Sequence, residues 1–381
     1  MKKLAVKQGS LWSNKQRSGN AIHETPYYGS FQPSLPEFFI ENYTEPGQRV
    51  LDPFGGRGTT GVQAALMGRI GISGDITPYA SCLHYGKNFI AEFSDDAYAF
   101  LETKLMSELA RDVDLDGWEH LLPFFHPDTL REILYLCLAD EGYGEDRMAD
   151  QWVCRMACMS ILTGHSDGHL SVKTMPPNVQ VSADAQKKLN KKNSLQPEYK
   201  TVGPRVIAKL NRLVADMTEE DATALRWKFV PLCGLDAKKI PQNHQTPADL
   251  VLFSPPFLDV IDYVDNNWIR NEILDGLGYF RNTPPAMHKD PKAWSTWLND
   301  VMGAMCAVVK PGGHLCVEAG IVRKDVNLID YVKKAAKGLP LEPQVLYINE
   351  DAAHTRTAKT WGVDKEAGTN SQQVLVFRHV P

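Results

Sequence analysis

The chain has 381 residues, a net charge of −5 and 43% hydrophobic residues, with a mean hydropathy of −0.30 and a pI near 6.1. About two and a half typical domain lengths leave ample chain for a buried core. The composition excludes fibrous architecture and wholesale disorder, and the lack of a run of about 18 apolar residues excludes a membrane-spanning helix. The acidic balance means that any polyanionic partner must meet a local basic patch.

The first residues, MKKLAVKQGSLWSNKQRSGN, are basic without an apolar h-region and read as a lead-in, not a signal peptide. Seven cysteines at irregular spacings read as reduced thiols of a cytoplasmic protein. Cys154 and Cys158 stand one helical turn apart, with no second pair or nearby histidine to complete a zinc set, so no metal is expected. Next comes an aromatic stretch, His23–Tyr43, whose tail Leu35–Tyr43 predicts a short amphipathic helix.

RVLDPFGGRGTTGVQAALMGRIGISGDI then predicts strand, glycine loop, helix and strand. Val50–Leu51 lead into Gly55, Gly56 and Gly58, and helical spacing follows through Val62, Ala65 and Leu66. Ile70–Ile76 is the second strand, with Asp75 near its tip. This βαβ unit opens a doubly wound sheet. From Asp95 to Asp221 helical patterns dominate: Tyr98–Leu109, Thr129–Ala139, Ala149–Leu162 and Arg205–Met217. A polar loop, Thr163–Pro204, lies between the last two, and the region reads as an inserted helical subdomain. Trp227–Leu232 predicts a strand, ADLVLFSPPF a buried strand ending in a proline turn, and WSTWLNDVMGAMCAVVKPGGHLCVEAGIV a helix, Gly-Gly turn and strand. QVLYINED and QQVLVFRHV predict a closing antiparallel pair. The expected organisation is a core in two parts, residues 1–94 and 226–381, around an insertion at residues 95–225.

Two places carry chemistry. A loop DPFGGRGTT that opens a helix brings backbone N–H groups and glycine-cleared space to a ligand's polar end. Asp75, 23 residues after Asp52, stands where a carboxylate accepts hydrogen bonds from ribose hydroxyls in a Rossmann-like fold. The G-G-x-G spacing is neither the dinucleotide pattern nor a Walker A loop, and a tight turn with a helix cap is the plainer alternative. The second place, Ser254-Pro255-Pro256-Phe257, ends a strand expected to be central. Its prolines leave carbonyls without local partners, Ser254 adds a hydroxyl and Phe257 a flat apolar face. Together they can hold a planar base with an exocyclic amino group. A proline-braced loop with a core phenylalanine is the alternative.

DPFGGRGTT, GDITPYA, GLDAKKIP and DLVLFSPPF, in this order, resemble the S-adenosylmethionine-dependent DNA amino-methyltransferases, which modify cytosine N4 or adenine N6. The likeness covers residues 23–90 and 226–379. It implies an α/β, doubly wound Rossmann-like methyltransferase core with an antiparallel closing strand and an inserted helical subdomain, and S-adenosyl-L-methionine as the cofactor. The methionine part falls on Asp52, Pro53, Phe54, Gly55, Gly56, Gly58 and Thr59, closed over by Phe31. The ribose falls on Asp75 beside Ile76, and the adenine ring on Asp236 and Ala237. Catalysis falls to Ser254, Pro255, Pro256 and Phe257, matching the family's [DNS]-P-P-[YFW] motif, whose serine form points to cytosine N4 over adenine N6. C5-methylation needs a Pro-Cys nucleophile, and no cysteine here follows a proline. In the implied mechanism Ser254 Oγ and the Pro255 carbonyl accept the amine's N–H bonds, and Phe257 stacks on the extruded base.

A double-stranded DNA partner calls for a basic surface. Ala185–Leu213 holds eight Lys or Arg (Lys187, Lys188, Lys191, Lys192, Lys200, Arg205, Lys209, Arg212) against one acid, Glu198. The patch adjoins GHSDGHLSVKTMPPN, whose His165, His169, Ser171, Lys173 and Asn178 suit groove or phosphate contacts. Lys187, Lys188, Lys191, Lys192 and Arg270 complete the candidate DNA contacts, with Tyr263 and Trp268 beside the pocket. Target recognition is assigned to the insertion by elimination, and a cognate restriction endonuclease is a candidate partner. The alternatives are adenine N6 methylation, RNA amino-methylation, a catalytically silent DNA-binding or regulatory subunit of the same fold, and a nicotinamide-dependent oxidoreductase, in which SPPF has no role.

Overall fold

The computed structural model describes residues 4–13, 19–105, 111–139, 148–175, 179–244, 246–258, 262–263, 265–277, 286–322, 326–350 and 372–380. Among them one mixed sheet is formed by β1 (Ala5–Gly9), β2 (Arg49–Asp52), β3 (Ile70–Asp75), β4 (Phe229–Cys233), β5 (Ala248–Phe253), β6 (Val309–Ala319), β7 (Leu341–Asn349) and β8 (Gln372–His379). Their spatial order is β1-β7-β8-β6-β5-β2-β3-β4. Neighbours are parallel throughout, except that β8 runs antiparallel to both β6 and β7. The expected α/β Rossmann-like core with its antiparallel closing strand is therefore present.

Alternation along the central strands builds two apolar layers, because successive side chains point to opposite faces. Leu250 and Leu252 of β5 join Phe39 and Ile40 of α1 (Ser34–Tyr43). Val251 and Phe253 face the other way, into a cluster with Leu298 of α9 (Pro291–Cys306) and Val332 of α10 (Leu328–Ala335). Beside α1 lies α2 (Thr59–Leu66), and α3 (Pro78–Asn88) packs on β3 and β4. Against these pack the inserted helices α4 (Pro127–Leu138), α5 (Met148–Ser160) and α7 (Val202–Leu213), in one continuous cluster that joins Val62 and Leu83 to Ile133, Met156 and Leu210. Cys82, Cys137, Cys154 and Cys158 are buried members of that cluster. No helix among the described residues is long and apolar enough to cross a membrane.

Several elements differ from expectation. The basic lead-in contributes β1, which pairs parallel with β7 along Ala5–Gly9; its sequence, AVKQG, is almost wholly exposed and gives no alternating signal, and the sheet edge supplies the order. The polar loop contains α6 (Ala183–Asn193), capped by the Ser182 side chain accepting from Ala185 N. Trp227 lies in the last turn of α8 (Glu219–Lys228) instead of opening a strand, and β4 begins at Phe229. The helix expected over Tyr98–Leu109 is α-helical only over Asp95–Ala99 and continues as a π-turn over Phe100–Lys104; residues 106–110 lie outside the described ones. The Gly-Gly pair expected to turn sits inside β6.

One contact between sheet and helix is backbone on backbone. A Cβ added to Gly71 of β3 would lie 1.9 Å from the carbonyl oxygen of Gly61 in α2, so helix and strand approach more closely than any side chain allows. Gly71→Ala should destabilise the fold by about 3 kcal/mol or more, read as a fall in denaturant midpoint. An unchanged midpoint would mean that α2 can lift off β3.

Candidate active site

The chain leaves β2 toward β3 and β4, then returns to β5 on the other side of β2. Helices depart in opposite senses from the carboxyl ends of two adjacent parallel strands, opening a crevice between them. A cleft of about 260 Å³ occupies it, lined by the loop after β2, the tip of β3, the turn after β4 and the end of β5. Of the residues expected at the cofactor, Phe31, Pro53, Phe54, Gly55, Gly56, Thr59, Asp75, Ile76, Asp236 and Ala237 line this cleft, and so do Ser254 and Pro256.

Asp52 and Gly58 stand behind the lining. Buried Asp52 accepts from Phe54 N at 2.9 Å and from Thr60 Oγ1 at 2.7 Å, bracing the loop, and burial pushes its carboxyl up to about 7. Gly58 provides the N-cap of α2. The loop is tied down onto β3: Gly55 N donates to Gly74 O at 2.7 Å, and Gly56 N to Asp75 Oδ2 at 2.9 Å. Gly56 has φ +52°, and a Cβ there would crowd the Tyr27 ring at 3.2 Å. Arg57 donates from Nη2 to Phe31 O at 2.9 Å and from Nε to Thr59 Oγ1 at 3.0 Å, holding the preceding aromatic segment over the loop.

Asp75 Oδ1 accepts from both Thr77 N and Thr77 Oγ1 at 2.9 Å. Burial raises its carboxyl above the usual range, against the pull of these donors. Asp236 Oδ1 accepts from Lys238 N at 2.9 Å, which fixes the turn after β4 at the cleft wall.

At the end of β5, Ser254 Oγ donates to Glu318 Oε2 at 2.6 Å. Glu318, near the end of β6, is buried, and that burial pushes its carboxyl up to about 7 while the serine bond pulls the other way. Sequence reasoning missed this acid; its signal was an apolar strand, HLCVEAG, closing on a carboxylate. No described group donates to the Pro255 carbonyl, whereas Pro256 O accepts from Trp294 Nε1 at 2.6 Å. Phe257 does not line the cleft: it is buried in the cluster with Trp294 and Leu298. Tyr27, Tyr263, His288 and Trp297 line the cleft as well.

The candidate DNA contacts divide. His165, Lys173, Lys187, Lys188, Lys191 and Lys192 are exposed, and His169 is half-buried with a ring nitrogen 2.9 Å from Ser166 Oγ. The four lysines of α6 follow i, i+1, i+4, i+5 spacing and share one helix face. Ser171 is buried and accepts from Gly164 N at 3.3 Å, so it shapes the loop from inside. Arg270 also departs from the expectation of a DNA contact. It is 1% exposed, its Nε donates to Met159 O at 2.9 Å, and its guanidinium lies 5.0 Å above the Tyr79 ring. Trp268 Nε1 donates to Val181 O at 3.0 Å. Asn178 lies outside the described residues.

Among the described residues no group of three or more His, Cys, Asp or Glu could hold a metal ion. Type II methyltransferase M.MjaII of Methanocaldococcus jannaschii is 41% identical over 73 residues, 19% of this chain; the chain spans 14% of that protein's length. Two solved structures align over most of the chain. TrmN from Thermus thermophilus does so at 12% identity and a TM-score of 0.37, covering 93% of this chain and 50% of that one. The rRNA methyltransferase aviRa from Streptomyces viridochromogenes does so at 10% and 0.35, covering 96% and 91%. Residues 1–82 match the family model described as DNA methylase, of the N6/N4 type. Over those residues, which hold Phe31, the glycine loop and Asp75, the chain is similar to the N6/N4 DNA methylase family.

Proposed function

We propose that the chain is an S-adenosylmethionine-dependent DNA methyltransferase acting on an exocyclic amino group, with cytosine N4 favoured over adenine N6 by the serine of Ser254-Pro255-Pro256-Phe257. The observation that carries this is the convergence of the glycine loop, Asp75, Asp236 and Ser254 on one cleft at the switch point of the sheet. The cleft suits the cofactor: a buried acid beside a glycine turn for the ribose, Asp236 and Ala237 for the adenine, and Phe31 against the methionine end. When bound, the cofactor supplies an electrophilic methyl group on a sulfonium.

The chain's own contribution is to position the amine and take its proton. With Glu318 ionised, the Ser254 hydrogen is committed to that carboxylate, so both lone pairs of Oγ remain to accept an N–H bond. The Pro255 carbonyl accepts the second. Holding both N–H bonds turns the nitrogen lone pair out of conjugation with the ring and disperses the developing positive charge. The proton released then has Ser254 Oγ and the Glu318 carboxylate as successive acceptors. When Glu318 is protonated, it donates toward Ser254 and takes up a lone pair that the amine needs.

The direct test is methyl transfer from labelled S-adenosylmethionine to unmethylated genomic DNA, followed by nucleoside mass spectrometry. N4-methylcytosine is expected; N6-methyladenine would overturn the base, and no DNA product would overturn the function. Asp75→Ala should weaken S-adenosylmethionine binding on the order of 10- to 100-fold by calorimetry, the loss expected for hydrogen bonds to a charged group. Unchanged affinity would remove the ribose assignment.

Turnover should rise with pH through about 7 as Glu318 ionises. Glu318→Gln should lower kcat on the order of 100-fold and abolish that rise, leaving S-adenosylmethionine affinity intact. A wild-type profile flat across this range would discard the serine–glutamate pair. Replacing Lys187, Lys188, Lys191 and Lys192 by Gln should flatten the dependence of log affinity on log salt by about one for each lysine on a phosphate. An unaltered slope would remove α6 from the DNA interface.

A further inference from the structure

Stacking an extruded base needs an aromatic face open to the cleft, and the ring of the SPPF motif does not offer one. Phe257 is 8% exposed and packed with Trp294, Leu298 and Ala319. The Trp294 bond to Pro256 O pins the turn on one side. On the other, Leu258 is 1% exposed and holds φ +47°, a left-handed conformation that a leucine keeps only when its surroundings impose it. Bringing the Phe257 ring into the cleft would require both anchors to give.

Six residues further on, Tyr263 lines the cleft together with Ser254 and Pro256 and is partly exposed. Its ring centroid lies 6.4 Å from that of Tyr27, with 31° between the planes. Tyr27 is backed in turn by Tyr79, stacked at 5.7 Å and 15°, and Tyr79 by the buried guanidinium of Arg270. Tyr263 therefore leans on a braced aromatic row, Tyr27 and Tyr79, that stands over the glycine loop.

We propose that Tyr263, not Phe257, is the face on which the target base stacks while Ser254 holds its amino group. The assignment rests on the DNA amino-methyltransferase reading above. It also gives Arg270 a role in place of the DNA contact expected of it, as the support beneath Tyr79 and hence Tyr27.

The test compares Tyr263→Leu, Tyr263→Phe and Phe257→Leu in single-turnover methyl transfer. The substrates are a duplex carrying the sequence mapped from methylated genomic DNA and the same duplex with the target opposite an abasic site. Tyr263→Leu should slow transfer on the paired duplex on the order of 10- to 100-fold, with the S-adenosylmethionine dissociation constant within about twofold of wild type. Much of the rate should return on the abasic-opposed duplex, where extrusion is easier, and Tyr263→Phe should recover most of it on the paired duplex by restoring the ring. Phe257→Leu should lower the melting temperature yet keep the wild-type ratio between the two duplexes. The proposal is overturned if Tyr263→Leu matches wild type, if it loses cofactor affinity in proportion to rate, or if Phe257→Leu is the variant rescued by the abasic partner. A wild-type chain that methylates no DNA would overturn the underlying function first, and this assignment with it.

Discussion

The placement of β2 between β3 and β5 is the constraint on which the site depends. Parallel strands cannot be joined by tight turns, so each connection crosses a face of the sheet and brings the chain back to the same edge. Because the chain first moves from β2 to β3 and β4 and only later to β5, the connections leave a gap at that edge. The glycine loop is pressed into the gap's floor by bonds to Gly74 and Asp75. The close approach of Gly61 to Gly71 lets α2 begin directly above β3. Ser254 arrives at the opposite wall because β5 pairs in register with β2 at Leu250 and Val251.

Three buried carboxylates divide the work at this edge. Asp52 is spent entirely on the loop, accepting from Phe54 N and Thr60 Oγ1. Asp75 is shared, bracing Gly56 and Thr77 while facing the cleft. Glu318 serves Ser254. Burial raises all three carboxyls, since a low-dielectric surrounding disfavours the charged form. Donors offset part of that cost at each, Phe54 N and Thr60 at Asp52, Gly56 N and Thr77 at Asp75, and Ser254 at Glu318, and the carboxyls of Asp52 and Glu318 are both raised to about 7.

The region between β3 and β4 is joined to the core as a layer. Gln180 accepts from Ile269 N at 2.8 Å and donates from its backbone to Asn266 O at 3.1 Å, so the stretch leading to α6 is stitched to the segment that follows the SPPF motif. Lys200 Nζ, counted in the sequence as part of a basic patch, donates to His169 O at 2.9 Å and Ser171 O at 2.8 Å and shapes the loop. The patch that faces solvent is therefore the lysine stripe of α6, next to a loop whose form is set from beneath by Lys200, Ser171 and Arg270.

The glycine loop, the β2–α2–β3 unit, the buried β5 and the closing β7–β8 pair were legible in the sequence, because their signals are local: alternation, helical spacing and turn residues within a few positions of one another. Membership of the cleft was legible for most residues expected at the cofactor, Asp52 and Gly58 excepted, because many of them sit at strand ends, and strand ends share an edge once the sheet is parallel. Only the tertiary structure could decide the rest. β1 is a strand because β7 offers it an edge, and α6 needed a cap at Ser182 that its polar run does not advertise. Whether Phe257 and Arg270 meet solvent depends on Trp294 and Tyr79, which approach them from distant parts of the chain. The acid that holds Ser254 is 64 residues away, on a strand brought alongside only by pairing. Local spacing can name a residue's chemistry, but what surrounds that residue is set by contacts across the fold.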